Sequence, residues 1–297
     1  CAWRISRSSG TCLTSSRCAS SRRRSTRSGW TRRDRSSTSE ATATLDRLFH
    51  DVDAVINLVG VLHGGRGERS FEQAHVELTR KIVAACDKNA VHRYVHMSAL
   101  GADVSGPSEY QRTKGKAEAL VRASRLDWTV FRPSAIFGRD DRFLNVFAQL
   151  LKMVPVMFLA CPRARFQPVY VEDVAAALVA SLDELAAYGK TYELCGPRVY
   201  TLRELVALVG SITGHRRPII GLGDTWSYLQ ALALEMLPVK LMSHDNYYSM
   251  KVDNVGSAPF PFGIRPAALE AVAPAWLANA APRARDRAYR DHAGRAS

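Results

Sequence analysis

The sequence predicts an α/β fold: a doubly wound, mostly parallel sheet with a smaller α/β unit interleaved with it. Two observations carry this. From Thr44 onward, short apolar runs alternate with stretches of 3.6-residue periodicity. The residues able to do chemistry fall at the carboxyl ends of those runs, where open parallel sheets present their ligand crevice.

Taken in order, Leu45, Leu48 and Phe49 make an amphipathic turn. Residues 53–60, Asp-Ala-Val-Ile-Asn-Leu-Val-Gly, read as a parallel strand buried on both faces, because the apolar run is continuous rather than alternating. The loop Gly64-Gly65-Arg66-Gly67 follows the wrong strand, with the wrong spacing, for a phosphate cradle. Residues 71–89 show helical periodicity through Val76, Ile82, Val83, Ala85 and Cys86. A strand is expected over 93–98, a helix over 108–124, and a strand over 128–133 that runs into the loop 134–141. Residues 167–170 form a short strand. The helix over 171–185 carries Glu172 and Asp173 in its first turn, where the helix dipole favours acids. Residues 192–195 are strand-like, and Thr201 with Glu204 three residues on is a capping box that opens a helix. Strands joined by helices imply right-handed crossovers. Asn57, Gly60, Ser98 and the loop 132–138 then share one edge of the sheet.

Residues 1–42 read differently. They hold twelve Ser, ten Arg and three of the six Cys, no Lys, and only Asp34 and Glu40 as acids, with neither a period of 2 nor of 3.6. A doubly wound sheet of this kind opens with a strand, a glycine-rich turn, a helix and a second strand. Only Gly10 and Gly29 precede Asp53, and neither sits in such a turn. An Arg- and Ser-rich, acid-poor start suits a transit peptide, but no room for the missing strand and turn remains between Ser39 and Asp53. The expectation is a segment read out of frame or wrongly joined ahead of a genuine coding sequence, which also fits a chain opening on Cys1. A transit peptide and a disordered basic arm are the alternatives.

This segment governs the charge. The formal net charge is +13, of which residues 1–42 supply +8 and the tail 281–297 another +3. The body, residues 43–280, is near neutral at +2, and nucleic-acid binding is not supported. Cys86, Cys161 and Cys195 stand singly, with no CxxC, so neither a zinc site nor a disulfide framework is indicated. No apolar run reaches the ~18 residues of a membrane span. The nearest, 143–160 and 226–242, are broken by Lys152, and by Glu235 and Lys240. Both read as helices of the core, or as amphipathic helices facing a partner or a membrane surface. The Arg216-Arg217 pair reads as a solvated charged pair, or as a contact with a membrane or another subunit.

Tyr110 and Lys114 lie four residues apart on one helix face, with Ser98 twelve positions upstream of Tyr110. As a cation, Lys114 would lower the pKa of the Tyr110 phenol, which could then exchange a proton with a substrate hydroxyl or carbonyl. Ser98 would hold that oxygen. His63, His92 and His96 have no acidic partner at ligand spacing, and no metal is expected. Asp140 and Asp141 fit capping, and a salt bridge to Arg142, better than a metal pair.

Together these motifs resemble the short-chain dehydrogenase/reductase superfamily in its extended, atypical branch. Gly138-Arg139-Asp140-Asp141-Arg142-Phe143-Leu144-Asn145, Gln167–Val174 and Val252-Asp253-Asn254-Val255 narrow the resemblance. They are similar to the nucleotide-binding accessory subunit family of respiratory complex I (alpha subcomplex subunit nine), bacterial type, over roughly residues 44–280. The resemblance implies a Rossmann-like sheet that binds NADP(H) or NAD(H) in a mainly structural role. Asn57, Leu58, Val59 and Gly60 would lie by the adenosine and ribose, and Lys114 by the nicotinamide ribose hydroxyls, with Ser98 and Tyr110 beside it. Arg132, Pro133, Ser134 and Ile136 would border the nicotinamide. The chain departs from the family in the absent glycine-rich turn, whose backbone N–H groups would hold the pyrophosphate.

The domains implied are an aberrant or disordered segment, 1–43; the rest of a nucleotide-binding domain, 44–188; a smaller C-terminal domain, 189–280; and a disordered basic tail, 281–297. The function implied is an accessory or assembly subunit of an NADH–quinone oxidoreductase. Its partners would be complex I subunits or a membrane surface, and its place the cytoplasm, peripheral at the inner face of a bacterial membrane. Two alternatives stand beside it: an active oxidoreductase, epimerase or dehydratase on an unnamed small molecule, and a cofactor-free scaffold. Whether Tyr110 is used in turnover stays open.

Overall fold

The computed structural model describes residues 2–5, 44–62, 64, 70–236 and 242–278. Its main sheet runs in the order β1 (Ala2–Ile5), β2 (Ala54–Asn57), β3 (Arg93–Met97), β4 (Asp127–Pro133), β9 (Lys190–Leu194). Strands β2, β3, β4 and β9 are parallel, in a register that sets Asn57 beside His96 and Met97 beside Phe131. This is the predicted Rossmann-like α/β sheet with its crossover helices.

Alternation along the strands divides the core. Val55, Tyr94 and Val130 pack with Phe49 of α1 (44–49), Ile82 and Cys86 of α2 (Leu78–Lys88), and Val121 of α3 (Glu109–Arg122). Ile56, Val95, Phe131 and Leu194 pack with Val174, Ala177 and Leu178 of α5 (Val171–Asp183). Both faces are covered, so the strand sequences show no polar alternation.

Several elements differ from expectation. Strand β1 lies in the segment expected to be aberrant, and it pairs antiparallel with β2, Ala2 opposite Asn57 and Ile5 opposite Ala54. The rest of that segment, 6–43, lies outside the described residues, as do Gly65–Gly67, His63 and the tail 281–297. The helix expected over 71–89 starts as a π-helix, Glu72–Glu77, and becomes α-helical from Leu78. The wider turn delivers His75 and Val76 to the interior. The strand expected over 167–170 is cut to β8 (Val169–Tyr170), paired with β5 (Ile136–Phe137): the Gln167 N–H goes to the Asn254 carbonyl, and Pro168 has no N–H to give the ladder.

A second core joins α4 (Leu144–Met153), β6 (Met157–Leu159), α6 (Leu202–Thr213), α9 (Leu269–Val272) and α10 (Pro274–Leu277) through Leu144, Leu151, Leu205, Val209 and Leu277. Residues 144–159 thus join this core from before position 189, while β9, past that position, belongs to the main sheet. Thr201 and Glu204 form the predicted capping box at the start of α6. Short pairs β7 (Arg165–Phe166) with β10 (Tyr200–Thr201), and β6 with β11 (Ile219–Gly221), lie within this second core. The pair β5 with β8 ties it to the sheet core, Phe137 and Tyr170 packing on one side and Ile136 and Val169 on the other. Helices α7 (Asp224–Glu235) and α8 (His244–Ser249) follow. No described helix is long and apolar enough to cross a membrane.

Candidate functional site

The predicted pair rides on α3, whose start is fixed by a capping box between Ser108 and Gln111. Four residues into the helix from Tyr110, Lys114 is 3% exposed. Its Nζ donates to the Met97 carbonyl at 3.0 Å and, weakly, to the Val59 carbonyl at 3.5 Å. The ammonium therefore sits across the carboxyl ends of β2 and β3. Burial pulls its pKa down to about 8, against a smaller upward pull from Glu118. An ammonium has three donors. Among the described residues, the bonds of Lys114 go only to these two carbonyls.

His75, delivered by the π-helix, braces this site from below. The Val61 N–H donates to its Nε2 at 3.1 Å, so Nε2 carries the lone pair and Nδ1 the proton, which goes to Thr113 Oγ1 at 2.9 Å. The Thr113 hydroxyl in turn donates to the Glu109 carbonyl. One neutral imidazole thus links the loop after β2 to α3. Burial first, and Lys114 second, push its pKa down to about 3. The Tyr110 ring stands edge-on to His75 at 5.5 Å and to Phe71 at 6.1 Å.

Asn57 lies one layer deeper and is fully buried. It donates to the Tyr94 hydroxyl at 3.0 Å and accepts the Val59 N–H at 3.1 Å, which bends the chain toward Gly60. His96 is packed beside Tyr94 and held well below its usual pKa, at about 3, by burial and Lys114.

Two expectations need correction. The Tyr110 phenol is not lowered by Lys114: burial pushes it up to about 12. The ammonium is turned to the strand carbonyls, so desolvation of the phenolate decides. Ser98 does not face the pair. Its hydroxyl donates to Glu118 Oε1 at 2.5 Å. Glu118, 0% exposed, is also held by Arg132 at 2.8 and 2.7 Å and by Arg122 at 2.7 Å. Arg132 and Ser98 therefore serve one saturated carboxylate. Ser134 is likewise engaged, with Asn254 Oδ1 at 2.6 Å, while Leu58 and Ile136 pack on the sheet core and Pro133 ends β4.

The residues brought together are Val59, Gly60, Tyr110 and Lys114, with His75 added. Sequence reading passed over His75, Glu118 and Asp245. The i,i+4 spacing of Lys114, Glu118 and Arg122 was a usable signal for Glu118; Asp245 had none nearby. Asp141 caps α4, its Oδ1 accepting the N–H groups of Phe143 and Leu144, and no group of three metal-ligating side chains occurs among the described residues. Burial pushes the thiols of Cys86 and Cys195 up to about 12 and 11, which disfavours the thiolate.

The end of β2 has polar groups suited to a sugar hydroxyl, the Lys114 ammonium foremost. A Cβ at Gly60 would come 3.1 Å from Lys114 Nζ and 3.9 Å from His75 Nε2, so glycine is what leaves the ammonium open there. For the pyrophosphate, the chain before Asp53 carries no glycine-rich turn.

A family model described as NAD(P)H-binding matches residues 35–184. The chain is 39% identical over 169 residues to NADH dehydrogenase (ubiquinone) 1 alpha subcomplex subunit 9, mitochondrial, of Arabidopsis thaliana, covering 56% of this chain and 42% of that protein. To the Mus musculus protein of the same name it is 35% identical over 189 residues, 63% of this chain and 48% of that one. The chain thus spans less than half the length of these curated relatives. A crystal structure of a nucleoside-diphosphate-sugar epimerase from Staphylococcus aureus is similar with a TM-score of 0.61 at 16% identity, over 80% of each chain. At that identity the likeness shows the fold.

Proposed function

The chain belongs to the NAD(P)H-binding family, and from that premise we propose that it holds NADP(H) or NAD(H) as a mainly structural ligand. We place it as an accessory or assembly subunit of an NADH–quinone oxidoreductase of the complex I type. The observation that carries the reading is the buried Lys114 ammonium, open toward Gly60 at the end of β2. A buried cation bound only to carbonyls gains strongly from a further oxygen acceptor such as a ribose hydroxyl. Val59 and Gly60 would border that ribose, Tyr110 would flank it, and Pro133 with Ile136 would border the nicotinamide. Asn57 and Leu58 act from beneath, by bending and packing the loop. Arg132, Ser134 and Ser98 support the walls through Glu118 and Asn254 rather than by direct contact.

A bound nicotinamide would supply hydride chemistry, but this chain's own groups favour holding over turnover. The phenol is pushed away from ready proton exchange, and Ser98 is turned to Glu118. The names of the relatives support the rest of the reading, complex I subunits as the partners and a membrane-associated assembly as the location.

The test is to express the full chain with an affinity tag in a host whose own copy is deleted, and to purify it under mild conditions. Recovery of NADH–quinone oxidoreductase subunits together with bound NADP(H) is the expected result. Recovery of the chain alone, with turnover of a small carbonyl or sugar-nucleotide substrate, would overturn it in favour of an active oxidoreductase or epimerase.

A further inference from the structure

The first turn of α3 is closed by a side chain from the far end of the chain. Asp245, on α8, is 7% exposed and accepts two backbone N–H groups: Glu109 at 2.6 Å on Oδ1 and Tyr110 at 3.2 Å on Oδ2. The next N–H, that of Gln111, goes to the Ser108 hydroxyl at 3.1 Å, and that of Ser108 itself to the Gln111 side-chain oxygen at 3.3 Å. All four N–H groups that an α-helix leaves open at its start are therefore satisfied, two of them by one remote carboxylate. A carboxylate there also meets the positive end of the helix dipole.

The grip is reinforced around Asp245. The Ser249 hydroxyl donates to Ser108 Oγ at 2.9 Å, so α8 is attached to α3 at both of its ends. Its own start carries a capping box between Ser243 and Asn246, and the His244 N–H and ring bond to Glu235 of α7. Lys251, just beyond α8, pairs with Asp224 of α7. Helices α7 and α8 thus form one braced unit, and Asp245 is its buried contact with the helix that bears Tyr110 and Lys114.

We propose that Asp245 is a positioning residue for the Tyr110–Lys114 site. By holding the N–H of Tyr110 itself, it fixes where the phenol stands relative to His75, and it couples the docking of α7 and α8 to that site. The inference rests on the reading of Tyr110 and Lys114 as the ligand-facing pair. Local capping does not require it: Ser108 already caps α3, and a second cap drawn from 135 positions away serves the tertiary arrangement.

The test is nitration of the full chain with tetranitromethane, mapped residue by residue by mass spectrometry. Tyr94, fully buried in the sheet core, is the internal control. Loss of a charge-assisted pair of hydrogen bonds is expected to raise the nitration rate of Tyr110 about tenfold in Asp245→Ala, with Tyr94 unchanged. Asp245→Glu, which keeps two acceptor oxygens, should return the rate toward that of the unsubstituted chain. Asp253→Ala, which breaks only an exposed pair with Arg165, should leave it unchanged. NADPH affinity should fall about tenfold in Asp245→Ala and recover in Asp245→Glu. An unchanged Tyr110 rate in Asp245→Ala, or a parallel rise at Tyr94, overturns the proposal. If Asp245→Ala does not fold, Asp245→Asn, with one carbonyl acceptor left, makes the same comparison. Failure of the unsubstituted chain to bind NADPH would overturn the cofactor reading alone, because the nitration readout needs no cofactor.

Discussion

Lys114 and Glu118 lie one turn apart on α3, 3% and 0% exposed, and the protein treats them in opposite ways. Glu118 is saturated by two guanidinium groups and a hydroxyl. Among the described residues Lys114 donates to two carbonyls alone, and burial weakens its ammonium to a pKa of about 8. A compensated buried charge is a fastener, and removing it exposes the partners it satisfied. A buried charge left short of acceptors costs stability and is kept for what it can bind. On the proposed reading, the same helix carries its structural end and its binding end side by side.

The largest effect that separates these regions is expected at the fastener. Glu118→Ala leaves Arg132 and Arg122 without their carboxylate, and should lower unfolding free energy by about 3–5 kcal/mol, read by urea denaturation. A loss under about 1 kcal/mol would put Glu118 in the same class as an exposed pair and erase the contrast. Ser98→Ala removes one charge-assisted bond to the same carboxylate, for a loss of about 1.5 kcal/mol. NADPH affinity should be unchanged in that variant, and a large fall would return Ser98 to the binding site.

The binding end predicts acid sensitivity. His75 and His96 are held neutral in the fold, near pKa 3, against an ordinary value of 6.5. Below 6.5 the unfolded chain takes up protons that the folded chain refuses. The stability contributed by the neutral rings is thus complete above pH 6.5 and is lost as pH falls toward 3, by roughly 1.4 kcal/mol per pH unit for each ring. Denaturation midpoints between pH 7 and 5 check this, and His75→Gln should flatten the slope. An unaltered slope in that variant would mean that His75 is not the group responsible. The smallest effect belongs to Tyr110→Phe. A phenol pushed up to about 12 and flanked by rings contributes mainly its apolar body, so NADPH affinity should stay within about twofold. A tenfold change would give the hydroxyl a direct role.

What could be read in the sequence follows the range of the interaction. The capping box at Thr201 and Glu204 and the shared helix face of Tyr110 and Lys114 depend on residues three or four apart, and both appear as predicted. Strands β2, β3 and β4 were legible because burial on both faces leaves an unbroken apolar run. The partner of Ser98 was not legible. A residue at the end of a strand can face either side of the crevice, and Glu118 competes for it from α3. Nor was the π-helix at Glu72–Glu77, whose wider turn brings His75 inward out of step with a 3.6-residue period. Asp245 meets Tyr110 across 135 positions, a contact that only the packed chain creates. The direction of the Tyr110 shift failed for a related reason, since spacing says which groups are near and not which way an ammonium turns.

The most direct test is the pH dependence of NADPH affinity in the unsubstituted chain and in Lys114→Met. If the Lys114 ammonium is the ligand-binding charge, affinity should be flat below pH 8 and then fall as the amine loses its proton, approaching tenfold per pH unit. Lys114→Met should bind at least about tenfold more weakly with no such break, and should fold as stably as the parent. Equal affinity in the two proteins, or the same break near pH 8 in both, would contradict the account.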